Sequence, residues 1–225
     1  MTQNLDKQKA IQISCEGNMQ LMARYPDNYF DLAIVDPPYG NACNLKGGSS
    51  STGKNGWSGM MRKANEWNNE PNKQYFDELI RVSKNQIIWG ANHFIDKIPM
   101  PFSCFLIWDK GQREFSLADG EMAWTSFKGA ARFYTYARAK ALKEGKIHPT
   151  QKPISLYQWM INRFCKEGDK ILDTHIGSGS IAIAVDSVNK IEKMNLTLVG
   201  CEIDKDYYDK TMKRINEKTS WQSLF

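Results

Sequence analysis

Between residues 170 and 204 the chain reads as a short buried strand, a glycine turn, a helix and a second strand. This order constrains the fold more than any other feature. Lys170–Asp173 forms the first strand, and Gly177-Ser178-Gly179 opens a helix to about Val188. Leu196–Cys201 forms the second strand, and Asp204 stands where the cap of a final helix belongs. Strands joined through a helix lie parallel in one sheet, buried on both faces. The same alternation precedes this unit. Ile11–Cys15, Asp31–Val35, Gln86–Trp89 and Cys104–Trp108 have strand character, and residues 121–137 add β-branched and aromatic positions. Tyr75, Phe76, Leu79, Ile80 and Val82 keep helical spacing, and Pro153 suits the first turn of a helix through Phe164 that Gly168 closes. The expectation is an α/β fold with a mostly parallel twisted sheet and helices on both faces, in a single domain over residues 1–225.

Composition removes several function classes. At 225 residues, 41% hydrophobic and 24% charged, the chain can bury one sizeable core, and no apolar run reaches the roughly 18–20 residues of a membrane helix. The opening MTQNLDKQKA has no signal-peptide pattern, so a cytoplasmic location and no membrane partner are expected. Five scattered cysteines, at 15, 43, 104, 165 and 201, suggest neither a disulfide framework nor a metal site and read as mostly buried small hydrophobes. The net charge of +5 permits a polyanionic partner without demanding one.

Two turns carry chemistry. After the strand at 170–173, Asp173-Thr-His-Ile-Gly177-Ser178-Gly179-Ser180 leads into a helix, and the next strand ends at Glu202. In a Rossmann-like site such glycines admit a nucleotide close to the backbone, and the acidic residue accepts from ribose hydroxyls. A glycine turn can also be no more than a tight strand-to-helix connection. Ala182 in place of a third glycine leaves nicotinamide binding open. The second turn is Asp36-Pro37-Pro38-Tyr39, at the end of an apolar strand. An exocyclic amine on a purine is a poor nucleophile because its lone pair is delocalised into the ring. Asp36 and the Pro37 carbonyl can accept its two hydrogens and draw it toward sp3 geometry. Pro38 holds the shape, and Tyr39 offers a face on which a base can stack.

Together these segments resemble the amino-methyltransferases of DNA, the N-4/N-6 DNA methylase family. The catalytic motif precedes the cofactor motif, as in the permuted β class. The resemblance also rests on Gly17-Asn18, on residues 87–94 (Ile-Ile-Trp-Gly-Ala-Asn-His-Phe), on residues 148–153 (His-Pro-Thr-Gln-Lys-Pro) and on residues 200–204 (Gly-Cys-Glu-Ile-Asp). It implies an S-adenosyl-L-methionine-dependent methyltransferase acting on adenine N6 in double-stranded DNA. It further implies that Asp36, Pro37, Pro38 and Tyr39 are catalytic, and that the cofactor is held by Asn18, Asp36, Lys152, Asp173, His175, Gly177, Ser178, Gly179, Ser180, Glu202 and Ile203. Lys152 is expected to meet the methionine carboxylate. Asn18 stands where similar enzymes carry Asp, and Thr174-His175 stands where they carry Pro-Phe. His175 is expected to form part of the cofactor wall or to pack, and His93 to be structural at a strand end. No metal and no cysteine takes part in the chemistry so implied.

Residues 40–73, with glycines at 40, 47, 48, 53, 56 and 59, read as a mobile active-site loop. Lys46, Lys54, Trp57, Arg62, Lys63 and Trp67 would be available there to nucleic acid. Residues 128–147 carry Lys128, Arg132, Arg138, Lys140, Lys143 and Lys146 among Phe133, Tyr134 and Tyr136, a composition suited to target recognition, though equally to a solvated basic face. Cytosine N4 and RNA adenine remain alternative targets. Similar enzymes acting on cytosine more often have Ser in place of the first Asp. A catalytically silent nucleic-acid-binding subunit would be expected to have lost one of the two turns, and a nicotinamide oxidoreductase would leave Asp36–Tyr39 unexplained. A homodimer or a companion restriction nuclease is compatible with the short recognition region.

Overall fold

A computed structural model describes residues 10–40, 69–98, 103–113, 118–143, 145, 147–148 and 150–220. Most of the expected glycine-rich loop, with its two tryptophans and four basic residues, lies outside the described residues, as does Lys146. The order of elements is β1 (Ile11–Cys15), α1 (Asn18–Met22), β2 (Phe30–Val35), α2 (Lys73–Val82), β3 (Ser83–Trp89), a 3-10 turn (Ala91–His93), β4 (Cys104–Asp109), β5 (Gly120–Thr125), β6 (Arg132–Thr135), α3 (Arg138–Lys143), α4 (Ile154–Phe164), β7 (Lys170–Asp173), α5 (Ser180–Glu192), β8 (Thr197–Glu202) and α6 (Lys205–Ser220).

The strands form one eight-stranded sheet in the order β1-β8-β7-β2-β3-β5-β4-β6. All neighbours are parallel except those of β5, which runs antiparallel to both β3 and β4. The parallel core follows from strands that are apolar on both sides. In β2, Leu32 and Ile34 face the layer of α4, α5 and α6, while Ala33 and Val35 face the layer of α1 and α2. The first layer packs Leu156, Met160, Ile181, Val185 and Val188 against the sheet, and the second packs Leu21, Phe76, Leu79 and Val82. Each such side chain, fully buried, contributes about 1.5–3 kcal/mol. Helix α2 is started by Asn72, whose Oδ1 accepts from the Tyr75 amide at 3.1 Å, a cap worth about 1 kcal/mol.

Several boundaries differ from the expectation. Pro153 is the N-cap of α4, extended at φ −62° and ψ 144°, while the helix runs to Phe164 as expected, with Cys165 rather than Gly168 closing it. Gly168, at φ +81°, belongs to the following turn and donates its amide to the Met194 carbonyl. Helix α5 runs past Val188 to Glu192, and β8 is shifted one residue, from Thr197 to Glu202. The aromatic stretch after residue 120 resolves into two strands, and only the first has buried residues. Cys104 and Cys201 are buried as expected, but Cys15 is exposed at the end of β1. Among the described residues no helix is long and apolar enough to cross a membrane.

Candidate active site

In a sheet of this kind ligands collect beyond the carboxyl ends of the parallel strands. β2 runs out there into Asp36, β7 ends with Asp173 and β8 with Glu202. They border a cleft of about 1390 Å3 whose walls include Asn18, Asp36, Pro37, Pro38, Tyr39, Lys152, His175, Gly177, Ser178, Glu202 and Ile203. Three of the expected site residues are not on the wall. Asp173, Gly179 and Ser180 sit behind the glycine turn and build it.

The turn is held by backbone geometry. Gly179 has φ +73°, and a Cβ there would come within 2.8–2.9 Å of Ile215 and Thr211 on α6. Its lack of a side chain thus serves the packing of α6 as well as the left-handed backbone, rather than direct approach to a ligand. Asp173 accepts from the His175 amide at 2.9 Å. Ser180 accepts from the buried Arg214 and lies 3.1 Å from Ser178. Glu202 receives the Gly177 amide on one carboxylate oxygen at 3.2 Å and the Asp204 amide on the other at 3.0 Å. Burial outweighs these two donors and raises its pKa. Ile203, 72% exposed, offers an apolar surface beside it.

His175 is fixed from both ring nitrogens. Nε2 lies 3.0 Å from the Asn18 amide nitrogen and Nδ1 lies 3.0 Å from Thr174 Oγ1, which also bonds the Tyr75 hydroxyl at 2.7 Å. Burial lowers its pKa to about 4, so the ring is neutral near pH 7. With Asn18 donating to Nε2, the Nδ1–H donates to Thr174. A neutral, doubly bonded imidazole is a wall, in keeping with the expected role. Burial also brings Asp173 up to about 7, helped by the nearby carboxylates of Asp36 and Glu202 and opposed by the His175 amide.

The Asp36–Tyr39 loop is held differently. Tyr39 donates its hydroxyl to Asp36 Oδ1 at 2.7 Å, and its ring lies on that of His93, with centroids 5.0 Å apart and planes at 20°. A Cβ on Gly90, at φ +68°, would fall 2.1 Å from the Tyr39 ring, so only glycine allows this seat. His93 is a structural residue after the end of β3, and it also lines the cleft, stacked on Tyr39. The other Asp36 oxygen is paired with Lys152. The Lys152 side chain is wholly buried, with its ammonium also 3.1 Å from Glu121 and 5.2 Å from the Trp89 ring centre. Glu121 in turn bonds Lys110 at 2.7 Å. Burial raises the Asp36 pKa, and the Glu121 charge adds to that, while Lys152 and the Tyr39 hydroxyl pull the other way. For Glu121 burial is outweighed by the ammonium groups of Lys152 and Lys110, which hold the carboxyl near 2.

Glu121 escaped the sequence reasoning. It opens a strand, and only the reversed direction of β5 puts that opening at the carboxyl edge of the sheet. The expected basic stretch is partly present. Lys128, Arg132, Lys140 and Lys143 are exposed, Arg138 is half-buried on the cleft wall, and Phe133 on the edge strand β6 is 68% exposed.

Residues 88–213, more than half of the chain, match the family model N6_N4_Mtase, described as DNA methylase. The chain belongs to this family. Across 93% of its length the methylase is 25% identical to Type II methyltransferase M2.DpnII of Streptococcus pneumoniae, and the alignment covers 91% of that protein. Its fold is similar to that of M1.HpyAVI, solved as a complex with SAM (TM-score 0.60, 17% identity, 91% of this chain and 99% of that one). It is also similar to the cytosine-N4-specific PvuII DNA methyltransferase (TM-score 0.57, 11% identity, 96% and 95%). The family match begins at Ile88, so the Asp36–Tyr39 loop of the methylase lies outside it.

Proposed function

We propose that this methylase transfers a methyl group from S-adenosyl-L-methionine to N6 of an adenine flipped out of double-stranded DNA. The observation that carries it is the Asp36 carboxylate at the cleft floor, at the end of β2 and between the Tyr39 hydroxyl and the Lys152 ammonium. Both carboxylate oxygens keep lone pairs beyond these two bonds, so one can accept a hydrogen from an amine presented at the Pro37 carbonyl. Two fixed acceptors weaken the conjugation of that amine with the ring and aim its lone pair. The prolines place no amide hydrogen beside them to compete.

The cleft chemistry fits the donor. Glu202 has carboxylate lone pairs left for two ribose hydroxyls after its two backbone bonds, Ile203 and the Asn18 amide suit an adenine face and edge, and the site is roomy enough for cofactor and base together. S-adenosyl-L-methionine supplies an electrophilic methyl group. The chain's own work is then to bind, to exclude water and to hold the amine in line with that methyl. Tyr39 would stack on the base, an interaction of about 1–3 kcal/mol that offsets part of the cost of flipping. The exposed Lys128, Arg132, Phe133, Lys140 and Lys143 form the surface we assign to the duplex, within residues 128–147 of a single catalytic domain.

The likeness to a cytosine-N4-specific enzyme favours one second reading, the same chemistry on cytosine N4. Incubation with tritiated S-adenosyl-L-methionine and mixed-sequence duplex DNA, followed by digestion to nucleosides, separates the two. Label on N6-methyldeoxyadenosine is expected. Label on cytosine alone, or on RNA and not on DNA, overturns the proposal.

A further inference from the structure

The charges around Asp36 form a chain of alternating sign, Lys110–Glu121–Lys152–Asp36, that descends from the cleft rim to the catalytic loop. Its members come from four places: the end of β4, the start of β5, the approach to α4 and the loop after β2. Two positive and two negative groups leave no net charge. This balance matters at a site where the Lys152 side chain has no solvent contact at all and an unpaired ammonium would carry a large desolvation cost. Lys152 was expected to meet a cofactor carboxylate, but two protein carboxylates already claim its ammonium.

We infer that Glu121 is a positioning residue for methyl transfer: by sharing the Lys152 ammonium with Asp36, it holds the acceptor carboxylate in aim without surrendering that carboxylate's basicity to the lysine. The inference rests on the proposed role of Asp36 as acceptor. Lys152 alone would fix Asp36 in place, yet an ammonium devoted to one carboxylate makes it a poorer acceptor, because acceptor strength follows proton affinity. Glu121 draws on the same ammonium from the other side at 3.1 Å. Its own charge is kept by Lys110, so it remains a carboxylate while Asp36 does the accepting.

Other groups face Asp36 as well. Tyr39 comes from its own loop, Tyr75 from α2, Tyr157 from α4 and Asp173 from β7. Tyr75 and Tyr157 are raised by burial and stay neutral, which leaves Asp173, titrating at about 7, as the other source of changing charge. The Lys152 ammonium also acts on Asp173, so Glu121→Gln, which leaves that ammonium in place, is the variant that reads Asp36 most directly.

The test is a carboxyl-carbon NMR titration of the aspartate-labelled protein without substrate, with Asp36 assigned through Asp36→Asn, alongside the pH dependence of kcat. Removing the neighbouring negative charge in Glu121→Gln should lower the Asp36 pKa by about one unit, and Lys152→Met should raise it by a similar or larger amount. Glu121→Gln should also reduce kcat on the order of tenfold, with KM for cofactor and DNA within about twofold of wild type. Lys152→Arg, which preserves the charge, should return the Asp36 titration most of the way to its wild-type position. If Glu121→Gln does not fold, Glu121→Asp withdraws the carboxylate by one methylene and should shift the titration in the same direction.

An Asp36 titration unmoved by Glu121 substitution, or a kcat loss matched by an equal loss of cofactor affinity, overturns the inference. The two levels of the argument can be told apart. An Asp36→Asn variant that still methylates removes the proposed role of Asp36 itself. An inactive Asp36→Asn combined with an unmoved titration in Glu121→Gln removes only the positioning role.

Discussion

The proline loop after β2 and the glycine turn after β7 leave neighbouring strands in the same direction, yet they hold their working atoms by opposite means. The turn depends on backbone freedom. Gly177 and Gly179 are left-handed, α6 packs behind the turn, and its backbone amides and side chains bond Glu202, Asn18 and Tyr75. The loop removes that freedom with two prolines and then relies on side chains from far along the chain, Lys152, Glu121 and His93, to aim Asp36 and Tyr39. A turn of the first kind takes its shape from its own backbone and is then tied in by its neighbours. A loop of the second kind is only as well ordered as the fold that surrounds it. Damage to the turn should thus appear in stability and cofactor affinity, and damage to the loop in turnover.

The largest effect expected is on the loop side. Asp36→Ala should reduce kcat by about 10³-fold or more, as the loss of one preorganised group facing a reacting atom commonly does. Cofactor affinity by calorimetry should stay near wild type, and a parallel loss of binding would break the contrast. Next comes the turn. Gly179→Ala adds a methyl at 2.8–2.9 Å from Ile215 and Thr211 at a positive φ. Together these should cost about 2–4 kcal/mol in urea unfolding, with weakened cofactor binding.

Asp173 offers a pH test of the same side. Burial raises its folded pKa to about 7, while in the unfolded chain it is near 3.9. Its contribution is fully present below pH 4 and is lost as pH rises through 7, on the order of 2 kcal/mol between pH 5 and 7. Asp173→Asn retains an acceptor for the His175 amide and cannot ionise, so its unfolding midpoint should fall less over that range. An identical decline in both proteins would show that the loss arises elsewhere. The smallest effects distinguish the two roles of Tyr39. Tyr39→Ala should reduce kcat/KM about tenfold and Tyr39→Phe about threefold, as expected for loss of the stacking face against loss of one hydroxyl bond. Equal losses would mean that the bond to Asp36 matters and the ring does not.

Much of this was written in the sequence, and the limits have physical causes. The strand–turn–helix–strand at the C-terminal end was legible because β-branched runs and glycines act locally. The Asp36–Tyr39 loop was legible because its composition is rare and chemically pointed. Lys152 was picked out as a site residue, but its partners were not: a spacing along the chain does not show which of several anions an ammonium will meet. Glu121 left no trace, since an acid at the start of a strand is ordinary until the direction of that strand is known. His93 was read as a structural residue at a strand end, but its stacking on Tyr39 was not legible, because the 3-10 turn that places it there depends on Gly90 and on the strand packed beside it.

The single reversed strand gives the two rims of the sheet unequal tolerance to change. Because β5 runs backwards, the end of β4 and the start of β5 both border the cleft, with Lys110, Gln112 and Glu121 on its wall. The turns at 165–169 and 193–196 leave from the opposite rim. Insertions, tags or a new chain break belong at those far turns, where the local fit of the fold is all that they disturb. Variation in the β4–β5 hairpin instead reshapes the mouth of the cleft, making it the natural place to alter which nucleotide is admitted.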